Sequence, residues 1–268
     1  FYVMATGCLS VPNRPHIDGL DDFDGPVYQT GRWPHEEVDF TGKRVAVIGT
    51  GSSAIQSIPV IAAQAAELTV FQRTPNYTIP AHNAPMDKDY AASVKARYRE
   101  FRAEASKTGS GIHAVYHMDS VLDATQEERD RRYWERWNQG GLGFMGAFGD
   151  QMLTQEGNDY AANFVKDRIR EQVEDPETAE KLCPKNLIGA KRLCVDTNYW
   201  KTYNLPHVSL VDIKAEPLER IEGATLYAGG KGYELDALVL ATGFDAMTGA
   251  LLAVDIQGTG GARLQERW

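Results

Sequence analysis

Apolar positions along this chain switch between two spacings, and the switches mark out its organisation. Residues 45–48 (Val-Ala-Val-Ile) form an unbroken apolar run, the pattern of a strand buried on both faces. Ile55, Ile58, Ile61 and Ala62 follow at helical spacing, and Leu68-Thr-Val-Phe71 is a second apolar strand at the distance of a βαβ unit. From about residue 87 to 181 charged residues dominate and the period is helical. Tyr90, Val94, Tyr98 and Phe101 share one face, and Thr125 and Glu128 form a capping box ahead of Tyr133, Trp134 and Trp137. Ala161, Val165, Ile169 and Val173 then recur four apart, and Asp175-Pro176 reads as the N-cap and first-turn proline of a short fourth helix. Glycines at 109–111 and 140–146 separate these helices as loops, and the aromatic stripes are expected to be core. Past residue 184 the pattern returns to short strands at 207–211, 225–227, 233–235 and 237–240, with glycine turns between. Residues 12–40 and 74–80, rich in Pro, Gly or Asp, show no period and are predicted as ordered loops.

Two further segments frame this pattern. Residues 1–7 read as an apolar strand ending in Ala5-Thr6-Gly7, and residues 237–244 repeat that arrangement with Ala241-Thr242-Gly243. Such a pair around a βαβ unit predicts one domain inserted into another, with the chain crossing between them at each Ala-Thr-Gly. The chain opens on Phe1 without an initiator methionine and stops at Trp268, so it is expected to be an internal part of a longer protein.

Composition narrows the class. The 268 residues are 43% hydrophobic and 24% charged with a net charge of −9, an ordinary globular balance that argues against a nucleic-acid surface. No apolar run approaches the roughly 18–20 residues of a membrane span, so no stable membrane association is expected. Cys8, Cys183 and Cys194 are odd in number and lack CxxC spacing, which fits a reduced cytoplasmic chain without a disulfide framework or a metal site.

The chemistry lies in the turn after the first strand of the βαβ unit. Gly49, Gly51 and Ala54 give GxGxxA: the first glycine makes a tight turn, the second admits a pyrophosphate, and the small third residue lets helix pack on strand. The phosphates would sit at the helix N-terminus, where free N–H groups and the helix dipole favour an anion. An NAD site would place Asp or Glu at the end of the second strand; this chain has Gln72-Arg73-Thr74. A guanidinium there suits a 2′-phosphate and predicts NADPH over NADH. Lys191-Arg192 places two cations just before an apolar stretch; by spacing alone they are as easily a surface pair on a strand.

These residues resemble the flavin-dependent Baeyer–Villiger monooxygenases of the cyclohexanone monooxygenase type. Phe23, Gly25, Gln29, Trp33 and Pro34 match the fingerprint FxGxxxHxxxW[PD] except that Gln29 stands where the family has histidine. The resemblance implies an α/β fold: a Rossmann-like NADP-binding domain (residues 42–82 and 183–240) carrying a helical insertion (83–182). A fingerprint linker (12–41) leads into it, and it is itself inserted into an FAD-binding α/β domain (1–11 and 241–268). It implies cofactor contacts at Gly49, Thr50, Gly51, Ser52, Ser53, Ala54, Gln56, Arg73, Thr74 and Lys191, and at Thr242 and Gly243, which also form the second interdomain crossing. Arg192 would be the catalytic cation. FAD and NADPH would be the cofactors, and O2 and a ketone the substrates. Ester or lactone would form through a flavin C4a-peroxide that needs a permanent positive charge beside it. Gln29 keeps a donor and an acceptor but cannot titrate near neutrality. Two other readings stay open: a flavin monooxygenase acting on nitrogen or sulfur, which Trp33-Pro34 disfavours, and a non-catalytic NADPH-binding module.

Overall fold

The structure, a computed structural model, describes residues 3, 5, 7–109, 111–113 and 116–268. It divides into two compact units, Phe1–Pro75 with Lys201–Trp268, and Asn76–Trp200. The strand expected over residues 1–7 falls largely outside the described residues.

The first unit is built on a five-stranded parallel sheet. In chain order its strands are β1 (Val27–Gln29), β2 (Arg44–Ile48), β3 (Glu67–Gln72), β6 (Val208–Asp212) and β10 (Ala237–Leu240), and in space they run β1-β10-β2-β3-β6. Val45 to Ile48 are buried, as are all four residues of β10, so the two middle strands are covered on both faces. Between β2 and β3 runs α1 (Ser52–Ala62), which buries Ala54, Ile55, Ile58, Ile61 and Ala62 along one stripe. Pro59 lies inside it and cannot supply the amide that the Ile55 carbonyl would accept in an unbroken helix. Burial of that stripe keeps the helix intact in spite of it.

On the other sheet face packs an antiparallel meander of β7 (Leu218–Glu222), β8 (Thr225–Ala228) and β9 (Lys231–Glu234). Ile221, Leu226, Ala228 and Leu235 form one core with Ala46, Ile48, Phe71, Leu238 and Leu240, and Leu20 and Phe23 join it. The fingerprint phenylalanine is therefore a core residue. Two of the regions predicted as loops contain a strand: residues 12–40 hold β1, paired in parallel with β10, and residues 74–80 hold β4 (Thr78–Pro80). Three-residue strands among prolines and glycines carry too little pattern to show a period. β7 went unpredicted for a similar reason, since Leu-Glu-Arg-Ile-Glu buries only Ile221.

The second unit joins β4 in parallel to β5 (Cys194–Asp196) and adds α2 (Lys88–Ala96), α3 (Tyr98–Ala105), α4 (Gln126–Gln139), α5 (Gln155–Gln172) and α6 (Pro176–Leu182). Both predicted N-caps are present, but the capping box is half made, because the Glu128 carboxylate pairs with Arg132 and does not turn back to the Thr125 amide. Thr125 accepts from the Glu128 amide at 3.2 Å, and Asp175 from the Thr178 amide at 2.8 Å. Tyr133, Trp137, Phe144, Phe148, Phe164 and Trp200 are buried, with Trp137 stacked on Trp200 at 6.0 Å between ring centroids. The stripe of Tyr90, Val94, Tyr98 and Phe101 behaves otherwise. Arg97 leaves helical geometry and splits the expected helix into α2 and α3, so the stripe does not continue across the break; neither helix buries a residue. Tyr90 and Tyr98 are more than half exposed and are not core, and Trp134 of the second stripe is exposed as well. Residues 141–146 form a short 3-10 turn in place of the expected loop. Among the described residues no helix is long and apolar enough to cross a membrane.

At the amino end of the sheet, Arg44 is held by Asp236 through its own amide at 2.8 Å and its guanidinium at 2.9 Å, and by Glu234. The guanidinium and amide of Arg44 lower the Asp236 carboxyl to about 2. A folded-state value below the unfolded one contributes stability that is present above about pH 4 and is lost as pH falls toward 2. Asp236→Asn is expected to remove that part: variant and parent should differ most above about pH 4 and converge as pH falls to about 2 in acid-unfolding curves.

Candidate dinucleotide site

The carboxyl ends of β2, β3 and β10 meet at the glycine turn. Gly49 has φ +113°, and a Cβ placed on it would lie 2.4 Å from the Ala241 carbonyl oxygen, closer than any real side chain approaches. The Gly49 amide donates to the Phe71 carbonyl at 2.9 Å, which ties the turn to β3 on its other side. Gly51 is different. Its φ of −82° suits any residue, and the place its Cβ would take is open for at least 4 Å. That space is where a pyrophosphate needs to approach the backbone.

Gly51 is the N-cap of α1 and contributes no side-chain bond to the helix start. The first amides of the helix, at Ser52, Ser53 and Ala54, therefore keep their donors for a ligand. Ser52 and Ser53 are exposed, while Ala54 is fully buried and lets α1 close onto the sheet. Gln56 reaches back along the helix to Ser52 at 3.3 Å and is otherwise exposed. Thr50 is buried, and its hydroxyl donates to the Thr74 carbonyl at 2.9 Å. Loop and strand end are thereby linked, and Arg73, one residue before Thr74, is exposed with no hydrogen bond or ion pair among the described residues. Nothing in the first unit competes for its guanidinium.

Thr242 and Gly243 continue from β10. Gly243 has φ +77° and open space where a Cβ would be, so the backbone there can face a ligand closely. The fingerprint residues run along the sheet edge from its amino end, at Gly25, to this carboxyl end, at Gln29. Gly25 sits so near the Asp236 carbonyl that a Cβ would meet it at 2.7 Å. Trp33 packs in a cluster with Tyr28 and Phe40, at 5.5 and 6.3 Å between centroids, and stays about a third exposed. Gln29, at the end of β1, donates from Nε2 to the Asn13 carbonyl at 3.3 Å.

Lys191 and Arg192 belong to the second unit, where both side chains are exposed and unpaired among the described residues. The segment before them is pinned. Asn158 on α5 accepts from the Ile188 amide at 3.0 Å and donates to its carbonyl at 2.9 Å, and Gly189 turns with φ +87° beside Met152. After them, buried Leu193 and Cys194 lead into β5, whose last residue, Asp196, accepts from Thr78 and from the Tyr199 amide. Burial pushes the Asp196 carboxyl up. The two cations thus stand on a short exposed stretch fixed at both ends. Asn158 was missed in the sequence because its partner is 30 residues away and no local pattern announces it.

A parallel sheet with a glycine turn at its carboxyl edge, an open helix start and a free arginine at the next strand end defines a dinucleotide-binding α/β protein. The comparisons narrow this. No family model matches the chain. Over its full length it is 41% identical to the 2-oxo-Δ3-4,5,5-trimethylcyclopentenylacetyl-CoA monooxygenase of Pseudomonas putida and 38% to the cyclohexanone 1,2-monooxygenase of an Acinetobacter species. It is 36% identical to a phenazine N-monooxygenase of Lysobacter antibioticus. A steroid monooxygenase bound to NADP superposes with a TM-score of 0.93 at 49% identity, and OTEMO in complex with FAD and NADP with 0.95 at 40%; each match covers 98% of this chain. The chain belongs to the Baeyer–Villiger monooxygenase family, and it spans about half the length of the relatives it matches, 51% and 50% of the first and second curated ones.

The two glycines make a sharp contrast testable by substitution. Gly49→Ala should destabilise the fold by at least ~2 kcal/mol, from the strained φ and the clash with Ala241. Gly51→Ala should leave the melting temperature within about 2 °C, since the backbone there suits alanine and its Cβ meets nothing, yet weaken NADPH binding at least tenfold. Thermal melts and NADPH titrations of both variants check this.

Proposed function

We propose that this chain is the NADPH-binding part of an FAD-dependent monooxygenase that inserts one oxygen atom of O2 beside a ketone carbonyl, giving an ester or lactone. The observation that carries the reading is the exposed, unpaired Arg73 at the end of β3, tied through Thr74 and Thr50 to an open glycine loop. An acidic residue there would hold the ribose hydroxyl of NAD; arginine offers a permanent planar fork to a 2′-phosphate. The relatives named above lend the rest, through the FAD and NADP bound in the OTEMO complex.

In this reading the α1 amides and Gly51 receive the pyrophosphate, and Arg73 takes the 2′-phosphate with Lys191 as the second cation. Bound FAD supplies the redox chemistry with NADPH and O2. Arg192 supplies the positive charge of a guanidinium, which suits a step where negative charge must persist on oxygen. The open backbone at Gly243 would let a cofactor approach at the crossing. The same reading makes the protein cytoplasmic, in keeping with three free thiols among the described residues.

Oxidation at nitrogen is the second reading, favoured by the likeness to a phenazine N-monooxygenase. Incubating the full-length protein with FAD and NADPH, and in parallel with cyclohexanone or phenylacetone, with a tertiary amine and with an aryl methyl sulfide, separates the two: lactone or ester from the ketone supports the first, N- or S-oxide with the ketone untouched the second. Arg73→Ala should raise the Kd for NADPH at least tenfold and change that for NADH less than twofold. Equal losses would remove the 2′-phosphate assignment.

A further inference from the structure

Where the fingerprint has histidine, this chain has Gln29, and the first unit shows what the side chain does. Gln29 closes β1, directly opposite Leu240 of β10 in register. Its acceptor, the Asn13 carbonyl, is shared with the Thr242 hydroxyl, which also donates to it. The segments bearing these groups are zipped together. The Asn13 amide donates to the Gly243 carbonyl at 2.9 Å, the Asp245 amide to the Val11 carbonyl at 2.8 Å, and Pro12 bridges Phe244 in antiparallel fashion. Gly31, two residues past Gln29, lets the Phe244 ring and Pro12 close in: a Cβ there would meet them at 2.9 and 3.3 Å. The two stretches on which the chain enters and leaves the sheet are thus held as a pair, with Gln29 gripping one of them.

The grip reaches the cofactor loop by contact. Thr242 follows Ala241, whose amide donates to the Ile48 carbonyl at 2.9 Å and whose carbonyl oxygen lies against Gly49. A shift of Thr242 moves Ala241, and Gly49 has no slack on that side.

We propose that Gln29 is a positioning residue for NADPH: its amide, together with the Thr242 hydroxyl, holds the Asn13 carbonyl and so sets the end of β10 against the glycine turn. The inference rests on the NADPH reading above. What the position requires is a donor. A carbonyl oxygen can only accept, so the amide nitrogen must face Asn13, and no proton needs to leave or arrive.

The test uses the full-length flavoprotein, with the NADPH Kd, the FAD content and the melting temperature measured for each variant. Gln29→Leu removes the donor and should weaken NADPH about fivefold, the effect of one lost hydrogen bond. Gln29→Glu sets a carboxylate against a carbonyl and should weaken it about tenfold or more. Gln29→His, which restores an N–H, should stay within twofold of the parent. Thr242→Val should cost less in the Gln29→Leu background than alone, because both groups act through one acceptor. FAD content and melting temperature should move little in all four. Unchanged NADPH affinity in the Leu and Glu variants overturns the proposal while leaving the NADPH reading in place. Failure of the His variant to restore affinity, or losses that follow the melting temperature, overturns it as well. A parent protein that binds no NADPH sinks the reading itself and this inference with it.

Discussion

The carbonyl of Ala241 and the α-carbon of Gly49 lie so close that no side chain fits between them, and much of the first unit is arranged around that approach. β10 comes from the far end of the sequence to lie beside β2, and its exit passes directly over the turn that follows β2. Because the exit is that tight, the turn must rise at positive φ and release the chain at Gly51, into open space. The phosphate site is then a by-product of packing: helix α1 begins where the backbone has been forced clear of the sheet, with its first amides exposed.

The same closeness links parts of the chain that have no pattern in common. The fingerprint segment supplies an edge strand, a core phenylalanine and the Gln29 amide, all within reach of β10. Its glycines serve contact more than flexibility: Gly25 admits the Asp236 carbonyl, and Gly31 admits the Phe244 ring and Pro12. A signature read as a mark of chemistry is here largely a set of packing constraints along one strand, β10, at both of its ends. The cations are arranged on another principle. Arg73, Lys191 and Arg192 are exposed on segments held by neighbours, Thr50 to Thr74 in one unit and Asn158 to Ile188 in the other. Long cationic side chains on fixed backbone can meet an anionic ligand without first breaking an ion pair.

The sequence by itself determined the βαβ unit, the GxGxxA turn, Arg73 as the residue where an acidic one would select NAD, and the capped helices α4 and α6. Each of these depends on residues within one or two turns or strands of one another, so periodicity and caps report them directly. Only the tertiary structure decided that residues 27–29 and 78–80 are strands, since a three-residue strand exists only through the partner it pairs with. It also decided that Tyr90 and Tyr98 face solvent: helical spacing marks a stripe, but burial needs a surface to cover it, and the break at Arg97 prevents the stripe from continuing. The partner of Gln29 is the last example. Glutamine in place of histidine reads in sequence as a kept donor and acceptor without titration, with no sign of what it bonds; in the fold it is a donor aimed at a backbone carbonyl 16 residues away. Chemistry carried by neighbouring residues is written in the chain, and chemistry carried by distant ones exists only after the sheet has brought them together.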